Sequence, residues 1–217
     1  MLATTTASGL AVAGLTPLST CDWPGQLVAT VFLQGCPLAC TYCHNPSLID
    51  PRVPGTVEWE EVVDLLRRRR GLLDGVVFSG GEPTRQHGLR AAMLEVRELG
   101  YRVGLHTAGV YPNRLEQVLD LVDWVGLDIK SVPRLYAAQT GVDAWAKALA
   151  SLRLVQGAGV SVQVRTTVDP TIQAADDVTE LTELLAGLGV DEHVLQEVRP
   201  DGTTSAYREA LLSRARD

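Results

Sequence analysis

What most constrains the fold of this chain is a regular alternation of short apolar runs with longer amphipathic stretches. Apolar, strand-like runs fall at 27–34, 75–79, 102–107, 124–128, 160–166 and 192–197. Between them, at 57–70, 86–99, 113–121, 144–156, 176–188 and 205–214, apolar residues recur at spacings of three and four, as Val62, Val63, Leu65 and Leu66 do in the first. That spacing gathers apolar side chains on one helical face, whereas a short unbroken apolar run suits a strand buried on both faces. Strand then helix, six times over, predicts a parallel sheet with right-handed crossovers. Six βα units are too few for an eight-stranded closure and suit an α/β fold of the open, partial TIM barrel type. Residues 1–14 are expected to be a ragged start, and 1–217 a single domain with its core in about 14–200.

In folds of this kind the ligand site lies at the carboxyl ends of the strands. The unusual residues sit there. Cys36 follows the first run, Gly80-Gly81-Glu82 the second and Thr107-Ala108-Gly109 the third. Asp128-Ile129-Lys130 ends the fourth, Arg165-Thr166-Thr167 the fifth and Gln196-Glu197 the sixth. Six polar or glycine-rich clusters would then converge on one rim, as a single large site requires.

Composition narrows the function classes. A net charge of −7 excludes broad nonspecific nucleic-acid binding, because too little positive charge is present to release phosphate counterions. The stretch 1–14 has no charged n-region, and no apolar run is long enough to span a bilayer, so a cytoplasmic protein without a membrane partner is expected. There thiols stay reduced, and clustered cysteines more often bind metal than pair.

Of four cysteines, three fall in Cys36-x-x-x-Cys40-x-x-Cys43. A zinc site takes four protein ligands, or three when catalytic, usually as separated pairs, and here only Cys21 and His44 could add a fourth. A 4Fe–4S cluster on three cysteines would instead leave one iron open to a further ligand. Spacing alone leaves both open. Gly35 and Pro37 would let the loop wrap a cluster and turn backbone amides toward its sulfides.

Cys36-Pro-Leu-Ala-Cys40-Thr-Tyr42-Cys43 resembles the C-x-x-x-C-x-Φ-C signature of the radical S-adenosylmethionine (SAM) superfamily, and Gly80-Gly81-Glu82-Pro83 resembles its GGEP motif. The resemblance implies one 4Fe–4S cluster held by Cys36, Cys40 and Cys43, with SAM on the open iron. It implies further that Tyr42 lies near the adenine and that Gly80, Gly81 and Glu82 receive the SAM ammonium. Thr107, Asp128, Lys130, Arg165 and Gln196 would make the remaining SAM contacts. Each has a structural alternative: Tyr42 as a core aromatic, Asp128 and Lys130 as an ion pair, Arg165 and Gln196 as rim residues. His106 reads as a hydrogen-bonded core histidine, with a ligand-facing group as the alternative, Cys21 as a buried thiol and the arginines at 67–70 as a solvated helix end.

Two flanking stretches narrow the resemblance. Ser19-Thr20-Cys21-Asp22-Trp23-Pro24-Gly25 and Cys43-His44-Asn45-Pro46 look like the activating enzymes of glycyl radical enzymes. The resemblance implies an oxidoreductase whose protein substrate is a glycyl radical enzyme, specifically anaerobic ribonucleoside-triphosphate reductase, and whose electron donor is a flavodoxin or ferredoxin. Two alternatives stand beside it: a small-molecule radical SAM enzyme such as a 7-carboxy-7-deazaguanine synthase, and a noncatalytic metal-binding module. Asp22, just ahead of the first strand, is expected at the end of the barrel opposite the cysteines, as a turn cap or a cation ligand.

Overall fold

The computed structural model describes residues 6–214. Seven strands form one sheet in sequence order, β1 (Val12–Ser19), β2 (Val28–Leu33), β3 (Gly75–Gly80), β4 (Arg102–Thr107), β5 (Trp124–Asp128), β6 (Ser161–Val168) and β7 (His193–Glu197). From β2 to β7 all neighbours are parallel, which gives the six expected βα units, and the order ends at β7 without returning to β1. The helices are α1 (Trp59–Arg68), α2 (Leu89–Glu98), α3 (Pro112–Glu116), α4 (Pro133–Thr140), α5 (Trp145–Ala158), α6 (Ala175–Gly187) and α7 (Ser205–Arg214).

The periodicity has the expected physical outcome. α1 turns Trp59, Val62, Val63 and Leu66 into the core and leaves Arg67 and Arg68 exposed at its C-terminal end, where cations suit the helix dipole. β2 and β3 are buried almost throughout, as strands sandwiched between helices and a barrel interior must be. Gly100 takes φ +91° just past α2, a left-handed position that glycine fills without penalty.

Three elements depart from the sequence reading. Residues 12–19 form β1, antiparallel to β2 with Val12 opposite Leu33 and Ser19 opposite Val28, a strand that was not expected and that begins inside the ragged start expected at 1–14; residues 1–5 of that start lie outside the described residues. Gly14 and Pro17 disguise β1, but an edge strand tolerates both because one side of its backbone needs no ladder partner. The second is α4, whose buried residues are Tyr136, Gln139 and Thr140, so no apolar stripe marks it. The expected helix at 113–121 also divides, into α3 and a 3-10 turn at Leu119–Leu121.

Two tryptophans close the floor of the barrel. Trp23 stacks on Trp124 with ring centroids 5.5 Å apart, and Val28 and Val77 pack with them. Room for Trp23 comes from glycine: a Cβ on Gly104 would lie 2.8 Å from its ring. The chain therefore doubles back beneath the barrel between β1 and β2, and this sets the position of Asp22.

Candidate active site

The loop after β2 carries the three cysteines and is tied down from several sides. The amides of Gly35 and Cys36 donate to the carbonyls of Leu48 and Ile49, at 2.8 and 3.0 Å. The amides of Ala39 and Thr41 donate to Thr140 and Gln139, at 2.8 and 3.0 Å, so the unforeseen helix α4 anchors the middle of the motif. Thr41 also donates its hydroxyl to the buried carboxylate of Asp169, 2.5 Å away.

The two glycines after β3 shape the same loop. Gly80 has φ +117°, and a Cβ there would lie 2.3 Å from the Leu33 nitrogen; a Cβ on Gly81 would lie 2.4 Å from the Gly35 carbonyl oxygen. Both positions need glycine because the strand end presses on the backbone leading into the cysteines. Glu82 does not face the cavity. It is wholly buried, and its carboxylate accepts from Thr84 N and Oγ1, Thr107 Oγ1 and Ala108 N, at 3.1, 2.6, 2.7 and 2.9 Å. Burial pushes its pKa up against the pull of those hydrogen bonds. Glu82 ties the end of β3 to the end of β4, and Thr107 spends its hydroxyl hydrogen on that tie.

These elements enclose a cavity of about 270 Å³ lined by Cys36, Cys40, Cys43, Tyr42, Gly80, Gly81, Thr107, Asp128, Lys130, Arg165 and Gln196. The three expected cluster cysteines and every expected SAM contact except Glu82 therefore line one cavity. Asp128 is a bridge: Lys130 Nζ lies 2.9 Å from its Oδ2 and Arg165 Nε 3.0 Å from its Oδ1. Burial alone would raise the Asp128 pKa, but the two cations prevail and hold it well below the usual carboxylate range. Lys130 also sits 5.7 Å from the Tyr42 ring centroid, a cation–π distance. Gln196 stands at the exposed rim, where its side-chain oxygen accepts from Thr167 at 3.4 Å.

Sequence reading misplaced two residues, Asp22 and Cys21. Asp22 lines this cavity rather than the opposite end, because β1 runs antiparallel and the turn after it folds up into the barrel; its carboxylate accepts from the Thr30 hydroxyl at 2.6 Å. His106 is a cavity residue as well as a hydrogen-bonded one. Its Nε2 donates to the Asp22 carbonyl at 2.6 Å, which leaves Nδ1 to accept from Ser79 at 3.2 Å. Burial and the nearby Arg165 guanidinium push its pKa down to about 4, so the ring is neutral. Cys21 is exposed, not a buried thiol. The signal for Asp22 was present in its motif, and only an unrecognised β1 hid its place.

Comparison with known proteins decides the family. The model of the radical SAM superfamily matches residues 30–186. This chain belongs to the radical SAM superfamily. Radical SAM proteins use a 4Fe–4S cluster and SAM. Among relatives, a Methanocaldococcus jannaschii protein assigned by name as a glycyl-radical enzyme activating enzyme is 30% identical over 87% of this chain and 80% of its own. The pyruvate formate-lyase-activating enzyme of Clostridium pasteurianum is 31% identical over 77% of this chain and 72% of its own. The 7-carboxy-7-deazaguanine synthase of Thermococcus kodakarensis is 29% identical over 86% and 82%. Streptococcus suis SuiB bound to S-adenosylmethionine superposes with a TM-score of 0.62 at 16% identity; the match covers 81% of this chain but only 40% of SuiB, and bears on the fold alone.

The residues present fit the radical SAM cofactors. Among the described residues no three His, Cys, Asp or Glu side chains converge on one point as the ligands of a single ion do, while three cysteines line one cavity. Three thiols on one cavity match the three-cysteine ligand set of a 4Fe–4S cluster with one open iron. Burial pushes Cys36 up to about 12 and raises Cys40 as well, so both stay protonated until a cation displaces the protons. Tyr42 lines the same cavity, with its hydroxyl buried. No helix among the described residues is long and apolar enough to cross a membrane.

Proposed function

We propose that this protein activates a glycyl radical enzyme, and that its partner is anaerobic ribonucleoside-triphosphate reductase. The observation that carries the reading is the convergence of three thiols, Tyr42 and the Lys130–Asp128–Arg165 bridge on one cavity, in a chain whose relatives include a pyruvate formate-lyase-activating enzyme and a protein named for glycyl radical enzyme activation. Cys36, Cys40 and Cys43 would hold one 4Fe–4S cluster. When bound and reduced by a flavodoxin or ferredoxin, that cluster supplies the electron that cleaves SAM into methionine and a radical able to take a hydrogen atom from a partner glycine.

This chain's own residues would bind, orient and exclude water. Backbone carbonyls at Gly80 and Gly81 suit an ammonium group, because neither residue has a side chain to hold it off. Lys130 and Arg165 carry the positive charge suited to a carboxylate, and Asp128 holds both cations at the cavity wall. Tyr42 offers an aromatic face, and Gln196 a polar group at the rim. Thr107 shapes the wall through its tie to Glu82.

A second reading has one observation in its favour, the similarity to a 7-carboxy-7-deazaguanine synthase over 86% of the chain. One experiment separates the two. The cluster-loaded, reduced protein is given SAM and either anaerobic ribonucleoside-triphosphate reductase or a carboxylated pterin. A glycyl radical signal in electron paramagnetic resonance (EPR), confined to the reductase sample, is the expected result. Pterin turnover without that signal would overturn the activase reading.

A further inference from the structure

Asp169 follows β6 directly, is wholly buried and forms no ion pair among the described residues. A carboxylate in that setting is costly unless hydrogen bonds satisfy it. Four donors do. Thr41 Oγ1 reaches Oδ2 at 2.5 Å, while Thr171 N, Thr171 Oγ1 and Tyr207 OH reach Oδ1 at 2.9, 2.6 and 2.8 Å. The donors come from three places: the turn between Cys40 and Cys43, the loop after β6, and α7. Neither the cavity lining nor the proposed SAM contacts use Asp169.

A second set of contacts joins the C-terminal segment to the cysteine loop. His44 Nε2 lies 3.0 Å from the Arg199 carbonyl oxygen and 3.3 Å from the Arg199 amide nitrogen, and Gly202 packs so closely that a Cβ there would lie 2.8 Å from the His44 carbonyl oxygen. The loop is therefore held by α4 through backbone groups and by the C-terminal segment through Asp169 and His44. Thr41, between two cysteines, is the point where the carboxylate grips.

We propose that Asp169 is a positioning residue for the metal-binding turn, fixing Cys40 and Cys43 through the Thr41 hydroxyl and coupling that turn to α7 through Tyr207. The proposal rests on the cluster reading for its consequences but not on the identity of any partner. Thr41 and Asp169 touch no bound group; they act through the cysteines.

The test uses Thr41→Val, which keeps the shape and removes the donor, Thr41→Ser, which restores it, and Tyr207→Phe. Each full-length protein is loaded with iron and sulfide, and the rate of iron loss to a chelator is measured with the cluster EPR spectrum before and after SAM. Thr41→Val should lose iron several-fold faster and show an altered SAM-dependent spectrum, Tyr207→Phe should shift both in the same direction by less, and Thr41→Ser should return to wild type. Amide hydrogen exchange of the metal-free proteins provides a readout that needs no cluster: Thr41→Val should speed exchange at Cys43 while α2 stays protected. Unchanged exchange at Cys43 would overturn the positioning role, as would iron loss that merely tracks global unfolding. A wild-type protein that holds no cluster would overturn the cluster reading instead, and exchange at Cys43 would still decide the role of Asp169.

Discussion

Gly81 lies against Gly35 so tightly that a Cβ at 81 would sit 2.4 Å from the Gly35 carbonyl oxygen. This contact welds the strand end that offers backbone to a ligand onto the loop that offers thiolates, so the two halves of the site cannot move independently. Gly81→Ala must displace backbone rather than a side chain, and overpacking of that kind costs about 2 kcal/mol or more. Urea denaturation of the metal-free protein should show that loss, and the loaded protein should retain less iron per chain. Wild-type stability and iron content would contradict the weld.

Glu82 makes a different forecast from the one its motif invites. If it is a structural carboxylate, Glu82→Gln turns an amide donor toward groups that are themselves donors and costs about 2 kcal/mol in stability. A residue that served only to bind SAM would leave stability unchanged and weaken SAM binding alone. Thermal unfolding without SAM, together with SAM titration, distinguishes the two.

Asp128→Asn leaves Lys130 and Arg165 at the cavity wall without their shared anion. The cost should be about 2 kcal/mol, the lower side for a broken buried bridge, because 27% of the Asp128 side chain still meets solvent. The depressed native pKa fixes the sign of the pH dependence: the stabilisation is complete above the unfolded-state value near 3.9 and is lost as pH falls below it. Urea midpoints from pH 5 to pH 3 should fall more steeply for wild type than for Asp128→Asn.

How much of this was legible in sequence depended on whether a residue's neighbours were local. The six parallel strands could be read because each is a short apolar run. The rim residues could be read because a parallel sheet brings all its strand ends to one side. Glu82 escaped because its partners, Thr107 and Ala108, lie one βα unit away, and nothing local says whether a carboxylate points into a cavity or behind it. Asp22 escaped because its place depends on β1, whose Gly14 and Pro17 mask strand character. α4 escaped because it buries Gln139 and Thr140 against the cysteine loop, which no count of apolar spacing detects.

His106 supplies a second pH signature at milder acidity. Its native pKa is held near 4 by burial and by Arg165, below the ordinary value of 6.5, so the unfolded chain takes up a proton that the folded one refuses. Stability should therefore decline as pH falls from about 6.5 toward 5, before most carboxylates titrate. His106→Gln should flatten that slope. A slope identical to wild type would show that another group is responsible.

The central claim is that Cys36, Cys40 and Cys43 hold a cluster that cleaves SAM. The most direct measurement loads the protein with iron and sulfide without oxygen, reduces it with dithionite, adds SAM and quantifies 5′-deoxyadenosine, for wild type and Cys40→Ala. The account predicts product from wild type and none above background from the variant. Absence of product from a wild-type protein whose iron and sulfide content shows an intact cluster would contradict it.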